Sequence, residues 1–123
     1  MGGGPGGSYS TSSSDLSANV KALSSKYPLD GAGKFGFKTQ DNVQNVEVDN
    51  PAEVAKYFFS ALSKGGDVSS LKNGKGHIAS FGSSKDAYVV YRPSSSSDGS
   101  PAISLKIPGK SPLDYKIHFV KAN

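Results

Sequence analysis

A chain of 123 residues with no Cys, no Trp and one Met, carrying 14 Lys and Arg against 10 Asp and Glu for a net +4, has room for one domain. Lacking cysteine, it must stand on its core without disulfides or thiolate-bound metal. No run approaches the roughly 18 consecutive apolar residues of a membrane span, and glycines follow Met1 where a signal peptide needs an apolar segment, so a soluble chain is expected.

The hydrophobic fraction is only 35 %, and the deficit sits in Gly- and Ser-rich stretches that need not join the core. Residues 1–14, Gly/Ser/Thr with one Pro and one Tyr, cannot repay the entropy of ordering and read as a flexible leader ahead of a single domain over 15–123. Asp15 or Ser14 then suits the N-cap of a helix with Leu16, Val20, Leu23 and Tyr27 on one stripe, stopped by Pro28. Between Asp30 and Asp49 the alternation is imperfect, and a short hairpin or irregular segment is expected. A second helix follows. Asn50 caps it, Pro51 takes the first position, Glu53 completes a capping box, and Val54, Tyr57, Phe58, Ala61 and Leu62 form an apolar stripe ended by Gly65 and Gly66.

Four runs with strand character come next, over 76–81, 87–91, 102–107 and 115–120. Their connections are too short for crossover helices, so neighbours should be antiparallel. The expected fold class is α+β, with one or two N-terminal helices packed on a four-stranded antiparallel sheet. Period-two alternation sorts Ile103, Leu105, Ile107, Tyr115, Ile117 and Phe119 to a core face and Ser104, Lys106, Lys116 and His118 to a wet one.

Split by halves, the charge becomes informative. Residues 1–61 hold five Lys against six carboxylates, whereas residues 62–123 hold nine Lys and Arg against four Asp, together with both His residues. A basic half is the footprint of a phosphate-bearing ligand, and equally of a solvated lysine face. Two distant His and no Cys make no zinc site. The Gly31-Ala32-Gly33-Lys34-Phe35-Gly36 segment lacks the Gly-Lys-Ser/Thr ending of a phosphate loop and reads as an ordinary loop. Ser94 to Ser97 read as a flexible hairpin loop rather than nucleophiles. What remains is metal-free acid–base chemistry at an anionic ligand, without cofactor. An imidazole with a second imidazole or a lysine can move the protons, while Lys and Arg stabilise charge on phosphorus. RNA supplies its own nucleophile, the 2′-hydroxyl. His77 and His118 are the acid–base candidates. Arg92, the only arginine, is a phosphate grip or a salt-bridge partner of Asp86 or Asp98. Tyr88 and Tyr91 offer rings for base stacking, though alternation sends one of them to the core.

The helix-then-sheet order with basic and His residues on the exposed face resembles the barnase, EndoU, colicin and RelE superfamily of metal-independent ribonucleases over about residues 50–123. The segments Ala87-Tyr88-Val89-Val90-Tyr91-Arg92-Pro93-Ser94, Asp98-Gly99-Ser100-Pro101-Ala102-Ile103 and Tyr115-Lys116-Ile117-His118-Phe119 also look like C-terminal toxin modules of bacterial polymorphic toxins of the Rhs and contact-dependent inhibition kind. That resemblance implies His118 and His77 as acid–base residues and Lys75, Arg92, Lys106 and Lys116 as phosphate contacts. It further implies a toxin acting on RNA, tRNA being one candidate, delivered by secretion into the cytoplasm of a target cell. A monomer with an acidic cognate immunity protein over its basic face follows. The chain departs from the barnase pattern at Ser104 and Lys106, where no glutamate stands to act as base, which favours a His/Lys or His/His scheme. A non-catalytic RNA- or protein-binding module is the rival reading. A deoxyribonuclease is a weaker one, for want of metal-binding carboxylates.

Overall fold

In the computed structural model, residues 12–72, 74–95, 99–110 and 112–122 are described. The chain runs α1 (Ser13–Leu23), β1 (Phe37–Gln40), β2 (Val43–Val48), α2 (Pro51–Leu62), β3 (Asp67–Ser70), β4 (His77–Phe81), β5 (Ala87–Arg92), β6 (Ala102–Ile107) and β7 (Leu113–Lys121). All seven strands join one sheet in the order β1-β2-β7-β6-β5-β4-β3. Every pairing is antiparallel except β2 with β7, which is parallel from Val43 opposite Lys116 to Val48 opposite Lys121.

This corrects the expected four-stranded antiparallel sheet behind N-terminal helices. The sheet is seven-stranded and mixed, and α2 follows the first hairpin instead of preceding all strands. The three extra strands carry weak local signals. Phe37–Gln40 and Asp67–Ser70 are exposed along their whole length at the two sheet edges, where nothing demands an apolar alternation. Val43–Val48 buries Gln44 beside Val46 on the face toward the helices, so a polar residue occupies a core position and breaks the pattern.

Helix boundaries also shift. Ser12, and neither Ser14 nor Asp15, stands at the α1 N-cap, and its N–H donates to the Asp15 carboxylate at 2.9 Å. The helix closes at Leu23, leaving Tyr27 outside it. Residues 1–11 of the expected leader lie outside the described residues, while Ser13 and Ser14 open α1. In α2, Pro51 does take the first turn behind Asn50, yet the Asn50 side chain makes no capping hydrogen bond, so the expected capping box does not form.

Both helices cover one face of the sheet. Phe58, fully buried on α2, meets the rings of Tyr27, Phe35 and Phe119 at centroid separations of 4.8, 5.1 and 4.9 Å. These tilted and edge-on contacts add to the burial of the ring itself. The Asn19 amide of α1 donates to the carbonyls of Leu62 and Lys64, both at 2.8 Å, satisfying acceptors that the end of α2 would otherwise leave orphaned.

One polar cluster is built into this core. Gln44 is 2 % exposed, and its amide donates to the Asp30 carboxylate and the Phe35 carbonyl, each at 3.1 Å. Asp30 also accepts from the backbone N–H groups of Ala32 and Lys34 at 2.8 and 3.0 Å, which closes the loop 30–34. The Gly-rich segment is thus a structural loop, as expected. Its last glycine, Gly36, has φ of 82°, and a Cβ there would collide with the Asn45 carbonyl. Among the described residues, no helix is long and apolar enough to cross a membrane.

Candidate anion site on the open sheet face

Register sorts the face opposite the helices into rows that run across β5, β6, β7 and β2. Arg92, Ala102, His118 and Asn45 form one row, Val90, Ser104, Lys116 and Val43 the next, and Tyr88, Lys106 and Asp114 a third. Neighbouring strands lie about 4.8 Å apart, so Arg92 and His118 flank Ala102 at a backbone separation of about 10 Å. With only a methyl group between them, the surface dips. A cavity of about 330 Å³ opens there, lined by Arg92, Ser95, Ala102, Ser104 and Lys116.

Two cations and two hydroxyls around a small floor make an anion site. A guanidinium can hold two phosphoryl oxygens at once, an ammonium supplies a compact charge, and serine hydroxyls donate without adding bulk. Neither cation is among the described salt bridges, which join Lys38 to Asp41 and Lys85 to Asp67. The expected alternative partner Asp98 lies outside the described residues, and no described salt bridge joins Arg92 to Asp86.

His118 pairs with Ala102 from β7 but is not among the residues that line this cavity. It is 6 % exposed, and its Nδ1 lies 2.8 Å from the Ser100 hydroxyl. Ser100 belongs to the loop from β5 to β6, which is tied at its base. The Ser95 N–H donates to the Ser100 carbonyl at 2.8 Å, the Gly99 N–H to the Ser95 carbonyl at 3.0 Å, and the Phe119 N–H to the Pro101 carbonyl at 2.9 Å. The serine run was expected to be a flexible loop, but Ser95 is 6 % exposed and lines the cavity. Ser96 and Ser97 lie outside the described residues.

A second cavity, of about 300 Å³, adjoins the first through the shared Ser104 and Lys116, and its wall includes Asn42, Asp41 and Asp114. Asp114 faces this side opposite Lys106. Alternation carried two residues back from Lys116 would have found this carboxylate. Sequence reasoning missed Ser95, Ser100 and Asp114. For the two serines no sequence signal existed, since a Ser-rich loop looks the same whether it is docked or free.

The remaining candidates divide. Lys106 shares the open face, and its Nζ sits 6.0 Å from the centroid of the Tyr88 ring, so that ring already carries a cation. Tyr91 turns to the helix side and is buried, leaving Tyr88 as the ring on the open face. Lys75 is exposed in the turn between β3 and β4 and does not line the cavity.

His77 is not part of the site. It pairs with Tyr91 in register, which sends its side chain to the face bearing the helices, 6.2 Å from Phe59 between ring centroids. There it lines a separate cavity of about 390 Å³ with Phe59, Tyr91, Val68 and Lys56. Two imidazoles on opposite faces of one sheet cannot share a substrate atom, so the His/His scheme is lost. Among the described residues, no three His, Asp or Glu side chains gather as a metal cage.

Comparison with protein-family models, with curated proteins and with solved structures finds no match to this chain.

Proposed function

We propose that this chain is a metal-independent endoribonuclease of the toxin kind, cutting RNA by attack of the 2′-hydroxyl on the adjacent phosphodiester. The observation that carries the reading is the cavity lined by Arg92, Ser104 and Lys116 beside His118. His118 and Lys116 stand two residues apart on the same face of β7, about 7 Å along the strand. That span fits one phosphorus between an attacking and a leaving oxygen. The neutral His118 imidazole takes the proton of the 2′-hydroxyl as its oxygen bonds to phosphorus. The bond to the 5′-oxygen breaks, and the Lys116 ammonium gives that oxygen a proton. Arg92 and the Ser104 hydroxyl stabilise the charge gathering on the non-bridging oxygens. The products are a 2′,3′-cyclic phosphate and a 5′-hydroxyl end. An acidic immunity protein covering the same basic face is the natural partner of such a toxin.

Incubating the purified chain with total tRNA, rRNA and mRNA in EDTA tests this. Cleavage with cyclic phosphate ends is expected, reduced by about 10²–10⁴-fold in His118→Ala and unchanged in His77→Ala. Intact RNA, or a His118→Ala variant as active as the parent, overturns the reading. The low exposure of His118, 6 %, favours one rival, a non-catalytic RNA-binding module. In that case His118→Ala would bind RNA as the parent does, and Lys106→Glu with Lys116→Glu would abolish binding.

A further inference from the structure

We propose that the cavity between α2 and strands β3 to β5 binds a small planar aromatic acid, with its ring against Phe59 and Tyr91 and its anionic group beside Lys56. This cavity lies on the helix side of the sheet, away from the anion site, and the proposal stands whether or not the chain cuts RNA.

The cavity exists because the sheet is wider than its two helices. Both helices pack on inner strands and neither packs on β3, so the helix-side face of β3 and the His77 end of β4 form a shelf beside α2. Lys56, Phe59, Ser60 and Ser63 recur at three- and four-residue spacing on the flank of α2 that overlooks this shelf. That flank adjoins the stripe of Ala55, Phe58 and Leu62 that enters the core. Phe59 is half-buried, and its ring centroid lies 5.9 Å from that of Tyr91 and 6.2 Å from that of His77, with the planes inclined by 34° and 39°. Across the cavity stands Val68, 49 % exposed.

Size, walls and polar groups together select the ligand. At about 390 Å³ the cavity is near the lower end of the roughly 300–1,000 Å³ of small-molecule sites, room for one or two fused rings rather than a peptide strand. Phe59, Tyr91 and Val68 offer the apolar surface on which such rings pack. The polar groups at the cavity are donors: the Lys56 ammonium and the Ser60 and Tyr91 hydroxyls. Tyr91 is 7 % exposed, and its hydroxyl has no hydrogen-bond partner among the described residues. That hydroxyl keeps some exposure, since no described unpaired side-chain oxygen is fully buried. Burial raises its phenol above the ordinary value, which keeps it a neutral donor. No described carboxylate lines the cavity. Asp67, next to Val68, alternates to the opposite face of β3 and lies 3.6 Å from Lys85.

The probe is 2-naphthoate, titrated into the full chain labelled with ¹³C and ¹⁵N. It should give saturable NMR shifts of the Val68 methyl groups and of the His77 and Tyr91 rings, half-complete at about millimolar concentration or below. The uncharged 2-naphthamide should bind about fivefold more weakly, and Lys56→Ala should abolish that preference. Tyr91→Phe should weaken the acid about two- to tenfold, and Phe59→Ala should weaken both compounds about tenfold. Circular dichroism checks that each variant is folded. Lys56 is exposed, so its variant keeps the test open even if Phe59→Ala fails to fold. Absence of saturable shifts overturns the proposal, as do shifts centred on Lys106 and Lys116 of the open face. Equal binding of acid and amide by the parent, or a preference for the acid that survives Lys56→Ala, overturns it as well.

Discussion

Tyr115 shows how single residues in this core couple loop and sheet. Its phenol oxygen accepts from the Phe35 N–H at 3.0 Å, eighty positions away in sequence. Burial pushes the phenol up to about 12, the Phe35 N–H works against that rise, and the nearby Asp30 carboxylate adds to it. The folded chain therefore favours the neutral phenol more than the unfolded chain does. Its contribution is fully present below pH 10.0, the ordinary tyrosine value, and is lost as pH climbs through about 12. Urea unfolding should show the parent losing stability across that window, with Tyr115→Phe losing less, since phenylalanine cannot ionise. At neutral pH the same variant should be less stable by about 1–3 kcal/mol, because the Phe35 N–H is left buried without its acceptor. Asp30 is held below the ordinary carboxylate range, first by the Lys34 N–H, so its support for the loop 30–34 is present at neutral pH and fades only in acid.

At the scale of elements, α2 is the hub between loop and sheet. Its stripe of apolar residues at three- and four-residue spacing marked it as a helix, and Ala55, Phe58 and Leu62 are the positions buried. Phe58 alone joins the loop residues Tyr27 and Phe35 to Phe119 of β7. Phe58→Ala should cost about 3–5 kcal/mol in chemical denaturation, a large share of the 5–15 kcal/mol typical of a domain. Where burial repeated with a clean period the elements were legible: the four central strands were read within about two residues of their ends. Where it did not, they were hidden. Asp67–Ser70 is exposed throughout and polar except at Val68, and becomes a strand because β4 offers an unpaired edge. Gln44 concealed β2, since its burial depends on Asp30 and Phe35 being brought to it by the loop.

For the whole molecule, three of the nine Lys and Arg of residues 62–123, namely Arg92, Lys106 and Lys116, share the open sheet face, while the helices cover the other. Neutralising about three phosphates of single-stranded RNA should give a slope near −2 for log affinity against log salt. Lys116→Ala should reduce that slope by about 0.7, measured by fluorescence anisotropy on a labelled tRNA fragment. An acidic protein bound to the same face should compete with RNA and share its salt dependence.

Sequence alone fixed what depends on local period and on composition. The existence of α2, the alternation of β6 and β7 and the basic character of the second half follow from residue type and spacing, although Tyr57 of the expected α2 stripe is exposed and Ala55 is buried in its place. The same alternation already opposed His77 to Ile78, but which strand neighbours which, and so which faces coincide, is set by long-range pairing. Only the tertiary structure put His77 on the side that bears the helices, opposite to His118, inserted β2 parallel to β7, and brought Ser100 to His118. The reason is physical: alternation assigns a residue to one of two sides, while the free energy of closing hairpins and burying both helices on one layer decides what those sides meet.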